Sequence, residues 1–236
     1  MRKQSFIFIL VVCACVTLPV RADLFTYSFR NITNDGAENV ASQLSVEVTN
    51  NDGLSELGGL VLADNQVAFI FRNTDLGTDA TPFITGVYFD DGLMLEIDNP
   101  GLYGPSSVSF VKGGSPSDLP GGGDLEPDFE TTVNFYVTAN NPAPGNGVHE
   151  GEYLGVVFNL KEGQTFDGII AAIAEGFNDP STGTSGDLRI GLHVQGLLDS
   201  NGIATSDSFV MVPLPATILL GFIGLGVGGW KLRKSL

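Results

Sequence analysis

The sequence predicts an all-β domain, a β-sandwich of jelly-roll type carrying one short helix. Three observations predict it. Short runs rich in Val, Ile, Phe and Thr are separated by Gly, Asn and Asp, with 31 glycines and 12 prolines in 236 residues. Several of these runs alternate apolar and polar residues with a period of two, the pattern of a strand with one wet face. Helical spacing occurs once.

Ten strand-like runs follow in order. LFTYSFR (24–30) sets Phe25, Tyr27 and Phe29 against Thr26, Ser28 and Arg30. SQLSVEVT (42–49) sets Leu44, Val46 and Val48 against Ser45, Glu47 and Thr49. Next come QVAFIFRN (66–73), FITGVYFDD (83–91), LMLEID (93–98) and SVSFVK (107–112). TTVNFYVT (131–138), YLGVVFNL (153–160), DLRIGLHVQ (187–195) and IATSDSFVMV (203–212) complete the set. The exception is TFDGIIAAIAEGF (165–177), where Phe166, Ile169, Ile170 and Ile173 share a helical face. Asp167 reads as its N-cap and Gly176 as its stop. The two longest glycine-rich connections, 112–128 and 139–152, read as extended surface loops.

The amino end, MRKQSFIFILVVCACVTLPVRAD, has the parts of a signal peptide. Arg2 and Lys3 precede an apolar stretch too short to span a membrane comfortably, and Val20-Arg21-Ala22 suits a signal peptidase. Cleavage is expected between Ala22 and Asp23, after passage through the Sec translocon. Cys13 and Cys15 both fall in the removed segment, so the mature chain has no disulfide and no Cys-bound metal. A lipobox around Cys15 fits poorly.

Charge narrows the partners. Net charge is −16, and all 27 acidic residues lie between the two ends, against five basic ones, for a formal −22. Such a surface repels phosphate backbones, so nucleic acid is not an expected partner. Solubility outside the cell is the plain reading of the acid. Calcium is the sharper one, with Asp90, Asp91, Asp118, Asp124 and Asp128 as candidate ligands, although no EF-hand spacing appears. Asp90-Asp91-Gly92 reads as a hairpin turn. His149 lies in a loop. His193 reads as an exposed strand histidine sharing a face with Arg189 and Gln195. There is no nucleophile elbow, zinc spacing or phosphate-binding glycine loop. No catalytic, cofactor or metal site is therefore expected, and no cofactor.

The carboxyl end, MVPLPATILLGFIGLGVGGWKLRKSL, carries the clearest signal. Residues 216–230 are uncharged and mostly apolar, and with the preceding residues they are long enough to cross about 30 Å of hydrocarbon. Trp230 suits the interface, and Lys231, Arg233 and Lys234 form a basic stop expected to stay cytoplasmic. Val212-Pro213-Leu214-Pro215-Ala216 stands directly before this stretch, its prolines holding the backbone extended. The sequence divides into a signal peptide (1–22), an ectodomain (23–209) and a carboxyl-terminal signal (210–236).

This arrangement resembles the PEP-CTERM sorting signal of exported bacterial proteins. Pro213 and Pro215 match the motif, and Leu214 stands where the naming glutamate would be, a form similar to a common variant. The resemblance covers about twenty-five residues. It implies recognition by an exosortase, an integral-membrane cysteine peptidase, and an association with exopolysaccharide. Leu214-Pro215-Ala216-Thr217 also matches most of a sortase motif, but Ile218 replaces its glycine. The expected protein is thus a non-enzymatic surface or matrix component, membrane-tethered before processing. A carbohydrate-binding or adhesive module and a secreted glycan hydrolase are the alternatives.

Overall fold

A computed structural model describes residues 24–77, 81–91, 94–96, 100–178 and 187–213. The expected signal peptide, its cleavage site at Ala22 and Asp23, and Leu214, Pro215 and Ala216 lie outside the described residues. So do the rest of the apolar stretch to Trp230 and the basic Lys231, Arg233 and Lys234. Among the described residues no helix is long and apolar enough to cross a membrane.

The structure is mostly β, as expected. Its strands are β1 Leu24–Asn31, β2 Leu44–Thr49, β3 Gln66–Asn73, β4 Phe83–Asp90 and β5 Gly101–Tyr103. Then come β6 Phe110–Lys112, β7 Tyr136–Ala139, β8 Glu152–Asn159, β9 Arg189–Leu198 and β10 Ala204–Pro213. They form one antiparallel sheet in the order β5-β8-β3-β2-β1-β10-β9-β4-β7-β6. Its two edges, β5 and β6, are consecutive in the chain and joined only by residues 104–109. The sheet therefore curls into a nearly closed, barrel-like form whose seam is bridged by chain rather than by ladder bonds.

The curl is visible in the core. Phe69 on β3 and Phe89 on β4 lie far apart in the strand order, yet their rings meet edge-on at 5.4 Å. Phe158 on β8 touches both, at 6.0 and 5.1 Å. Opposed halves thus pack as two layers would, but the hydrogen bonding continues around the curl. A jelly roll of two separate sheets is not what the pairing forms. Alternation in sequence reports which face is buried, and is silent on whether the ladder breaks between layers.

Most strand expectations coincide with observed elements. Leu44, Val46 and Val48 are all fully buried, as their alternation requires. The 93–98 run differs: its described part contributes only a bridge from Leu95 to Leu160. Strand β5 replaces it, three residues whose Gly-Leu-Tyr sequence carries no periodic signal.

Helix α1 spans Ala143–Asn146 and α2 spans Phe166–Asn178. The apolar stripe of α2 buries Phe166, Ile169, Ala172 and Ile173. Its start is Thr165 rather than Asp167: the Gly168 N–H donates to Thr165 Oγ1 at 3.1 Å. Gly176 lies inside the helix, not past its end. A Cβ there would come within 3.0 Å of the Leu188 carbonyl oxygen, so this glycine permits close packing. Phe166 and Phe177 also cover the start of β1, with rings 6.1 Å from Phe25 and 5.8 Å from Tyr27. Burial there pushes the Tyr27 phenol up to about 12.

Candidate functional site

The outer faces of β4 and β9 should be wet on a simple alternation, yet Tyr88, Gly191 and His193 are buried. The 112–128 connection is the cause. It is not an open surface loop. Leu119 and Phe129 fold back and form an outer apolar cluster with Tyr88 and Val210. Leu119 reaches Gly191 so closely that a Cβ on that residue would meet Leu119 Cδ2 at 2.5 Å.

Arg189 fastens this cover. Its Nε donates to Asp90 Oδ2 at 3.0 Å, and its Nη1 to the Pro127 carbonyl oxygen at 3.1 Å. Its Nη2 donates to Asp90 and to the Asp128 carbonyl oxygen. Asp90 is buried; burial raises its pKa, with the Arg189 charge opposing that rise. Asp91 is also buried, and its Oδ1 accepts the Met94 N–H at 2.6 Å. These two acids do not form the expected hairpin turn. β4 pairs with β7 and β9, and Leu95 bridges Leu160 just past the end of β8 instead of pairing with β4.

The calcium candidates are therefore not assembled. Asp90 is held by Arg189 and Asp91 by backbone amides, while Asp118, Asp124 and Asp128 are exposed on the cover. Among the described residues no three His, Cys, Asp or Glu side chains converge as metal ligands would. A pair of acids, Asp52 and Asp64, borders one depression, but both are exposed and Asp52 accepts the Leu62 N–H at 2.7 Å.

Beside the cover lies a cleft of 530 Å³. Residues 114–116 form one wall and residues 139–144 the other. Its floor comes from β7, β4 and β9. Thr138, Gly86 and His193 are cross-strand neighbours. The ladder shifts between Ile84 and Gly86, which sets Thr85 out of register toward His193. Thr85, Thr138 and His193 are at most 8% exposed.

The walls are pinned to the sheet. Thr138 Oγ1 donates to the Gly113 carbonyl oxygen at 2.7 Å, and the Tyr88 hydroxyl to that of Pro116 at 3.3 Å. Opposite them, Asn146 Nδ2 donates to the Asn140 carbonyl oxygen at 3.0 Å. Val148 bridges Ile84, and the His149 ring stacks on Phe83 at 4.9 Å. The 139–152 segment is thus a fixed wall with a helical turn, not an extended loop.

His193 is the main departure from the sequence reading. It is not exposed. Its Nδ1 lies 3.2 Å from Thr85 Oγ1, and the same hydroxyl donates to the His193 carbonyl oxygen at 3.2 Å. With the hydroxyl proton on that carbonyl, Nδ1 carries the ring proton and donates it to Thr85 Oγ1. Nε2 is then a bare acceptor, with no protein partner among the described residues. Burial lowers the pKa of the ring, Asp207 opposing in part, so it is neutral at neutral pH. Gln195 and Asn141 complete the rim.

A second cleft, of 170 Å³, lies under α2. Arg30, Glu126, Arg189, Val212 and Pro213 are among its lining residues. Here the described chain meets the first residues of the expected sorting motif, Val212 and Pro213. β10 continues through the expected 209/210 boundary to Pro213, with Val210 and Met211 buried. Val212 pairs with Ser28 and Pro213 with Tyr27, and Pro213 is exposed.

Sequence reasoning missed Thr85, Thr138, Asn141 and Gln195 as a group. One signal was available: Gly86 interrupts the apolar run of β4, as a glycine at a strand irregularity does. Comparison with family models, with curated proteins and with solved structures finds no match to this chain.

Proposed function

We propose that this chain is an exported, non-enzymatic surface or matrix protein, tethered at its carboxyl end and processed there by an exosortase. One observation carries the reading. β10 runs as an extended strand directly into the motif and reaches the surface at Pro213, leaving no linker between domain and sorting signal. An extended segment at a domain's exit is the conformation a peptidase binds.

The rest of the route follows from the ends of the sequence. The Sec translocon carries the chain out, and signal peptidase cleaves between Ala22 and Asp23, one residue before β1. Residues 216–230 then hold the protein as a single membrane helix, with Lys231, Arg233 and Lys234 inside and the acidic domain outside. Recognition of residues 212–216 by an exosortase and removal of the tail pass it to the surface or the exopolysaccharide matrix. The formal −22 of the ectodomain is consistent with a partner other than nucleic acid.

A transplant tests the proposal. Residues 212–236 are fused to an unrelated exported reporter and expressed in the native cell, with and without its exosortase. The tail is expected to be removed only when the exosortase is present, and Pro213→Ala with Pro215→Ala should block removal. A reporter that keeps its tail in both strains overturns the reading.

A further inference from the structure

We infer that the 530 Å³ cleft is a binding site for a neutral polyhydroxylated ligand, a glycan unit, with His193 Nε2 accepting a ligand hydroxyl. This goes beyond sorting and does not depend on it.

The chemistry of the lining selects the ligand class. The chain carries a net charge of −16, yet the residues lining this cleft include no Asp, Glu, Lys or Arg. They are hydroxyls, carboxamides, prolines, the small apolar Val111, Ala139 and Ala143, and one imidazole that burial keeps neutral. A cation finds no carboxylate there, and an anion finds no positive charge and a repelling field around it. An apolar ligand would leave His193 Nε2 without a donor, which is costly. A polyol fits, because each hydroxyl both donates and accepts.

The groups are also ready. His193 Nε2 offers an acceptor, fixed by the Thr85 hydroxyl that holds Nδ1. Gln195 and Asn141 offer amides that donate and accept. Both walls are held by hydrogen bonds to or beside the sheet, so little ordering remains to oppose binding. The volume lies within the range of about 300–1,000 Å³ usual for small-molecule sites. The cleft under α2 differs in charge and size: Arg30, Glu126 and Arg189 line it, and it has about a third of that volume.

The two histidines supply the test. His149 Nε2 lies 2.8 Å from the Pro144 carbonyl oxygen, which can only accept, so its neutral ring carries the proton on Nε2. His193 carries it on Nδ1, so the two rings differ in tautomer and are separable by ¹⁵N resonance. The full-length chain, ¹⁵N-labelled at histidine and held in a sugar-free zwitterionic detergent, is titrated with neutral gluco-, galacto- and manno-oligosaccharides. An oligogalacturonate serves as the charged counterpart. With at least one neutral oligosaccharide, the His193 Nε2 resonance is expected to move while His149 stays fixed. Gln195→Ala and Asn141→Ala should each weaken that binding about tenfold without changing the His193 tautomer. Three results overturn the inference: His193 Nε2 unmoved by every neutral oligosaccharide, oligogalacturonate binding as tightly as the best neutral one, or a His193 ring protonated on Nε2.

Discussion

Two outer faces of the barrel are covered by the same device, with different results. On β3 and β8, residues 50–65 fold back and set Leu57 over Gly155, where a Cβ would meet Leu57 Cδ2 at 2.7 Å. On β4 and β9, residues 113–131 fold back and set Leu119 over Gly191. Each leucine lies on a strand glycine that lets it approach. An arginine flanks each. Arg72 bridges Glu47 and Glu56 at 2.9 and 2.7 Å while remaining about 29% exposed, whereas Arg189 and Asp90 are almost wholly enclosed. Under the first cover the outward residues are Ala68, Ile70 and Val157, so apolar contact seals the face. Beside the second they are Thr85, Thr138 and His193, and a cleft remains. The side chains a strand presents outward thus decide whether a covering loop closes a face or leaves a site.

The largest contrast should come from the arginines. Arg189→Ala leaves Asp90 buried without its counter-charge and is expected to cost about 3–5 kcal/mol in denaturant unfolding. Arg72→Ala breaks two partly exposed pairs and should cost about 1 kcal/mol. Equal losses would mean that the two covers are fastened alike.

The covering leucines come next. Leu57→Ala and Leu119→Ala should each destabilise by about 2–5 kcal/mol. Only Leu119→Ala should admit water toward His193 and raise its pKa toward the ordinary 6.5, which an NMR titration reads. Adding a methyl group tests the same contacts from below. Gly155→Ala and Gly191→Ala should each cost about 1–3 kcal/mol, because Leu57 or Leu119 must give way.

The smallest effects are in pH, and they separate by window. His193 has a lowered pKa in the fold, so its contribution is present above 6.5 and is lost as pH falls through its folded value. Glu56 is held down to about 2, first by its hydrogen bond from Arg72, so its contribution is present above 4.5 and lost toward pH 2. Each slope is at most about 1.4 kcal/mol per pH unit. His193→Gln should flatten only the upper window and Arg72→Ala only the lower one, in stability measured across pH.

The same contrast explains what was legible in the sequence. Period-two alternation located β2 because its inner face is Leu44, Val46 and Val48 and its outer face is half-wet. It misled at His193, since alternation assigns an outward residue to water and cannot register residues 114–116 and 139–144 walling it in from elsewhere in the chain. The helix was legible from its stripe, but Gly176 was misread as a stop, because its neighbour Leu188 is distant in sequence. The Asp90 ion pair spans 99 residues and leaves no local trace. The cleft was legible least of all: its floor needs a strand irregularity at Thr85 and register across three strands.

One strand joins the covered barrel to the proposed sorting signal, since β10 supplies Val210 to the outer cluster and ends on Pro213. The most direct measurement is therefore the intact mass of the mature protein from its native cell, beside the Pro213→Ala, Pro215→Ala variant. Sorting predicts a wild-type species that begins at Asp23 and lacks the apolar stretch and basic tail, and a variant that retains both. A wild-type mass that includes every residue through Leu236 would contradict it.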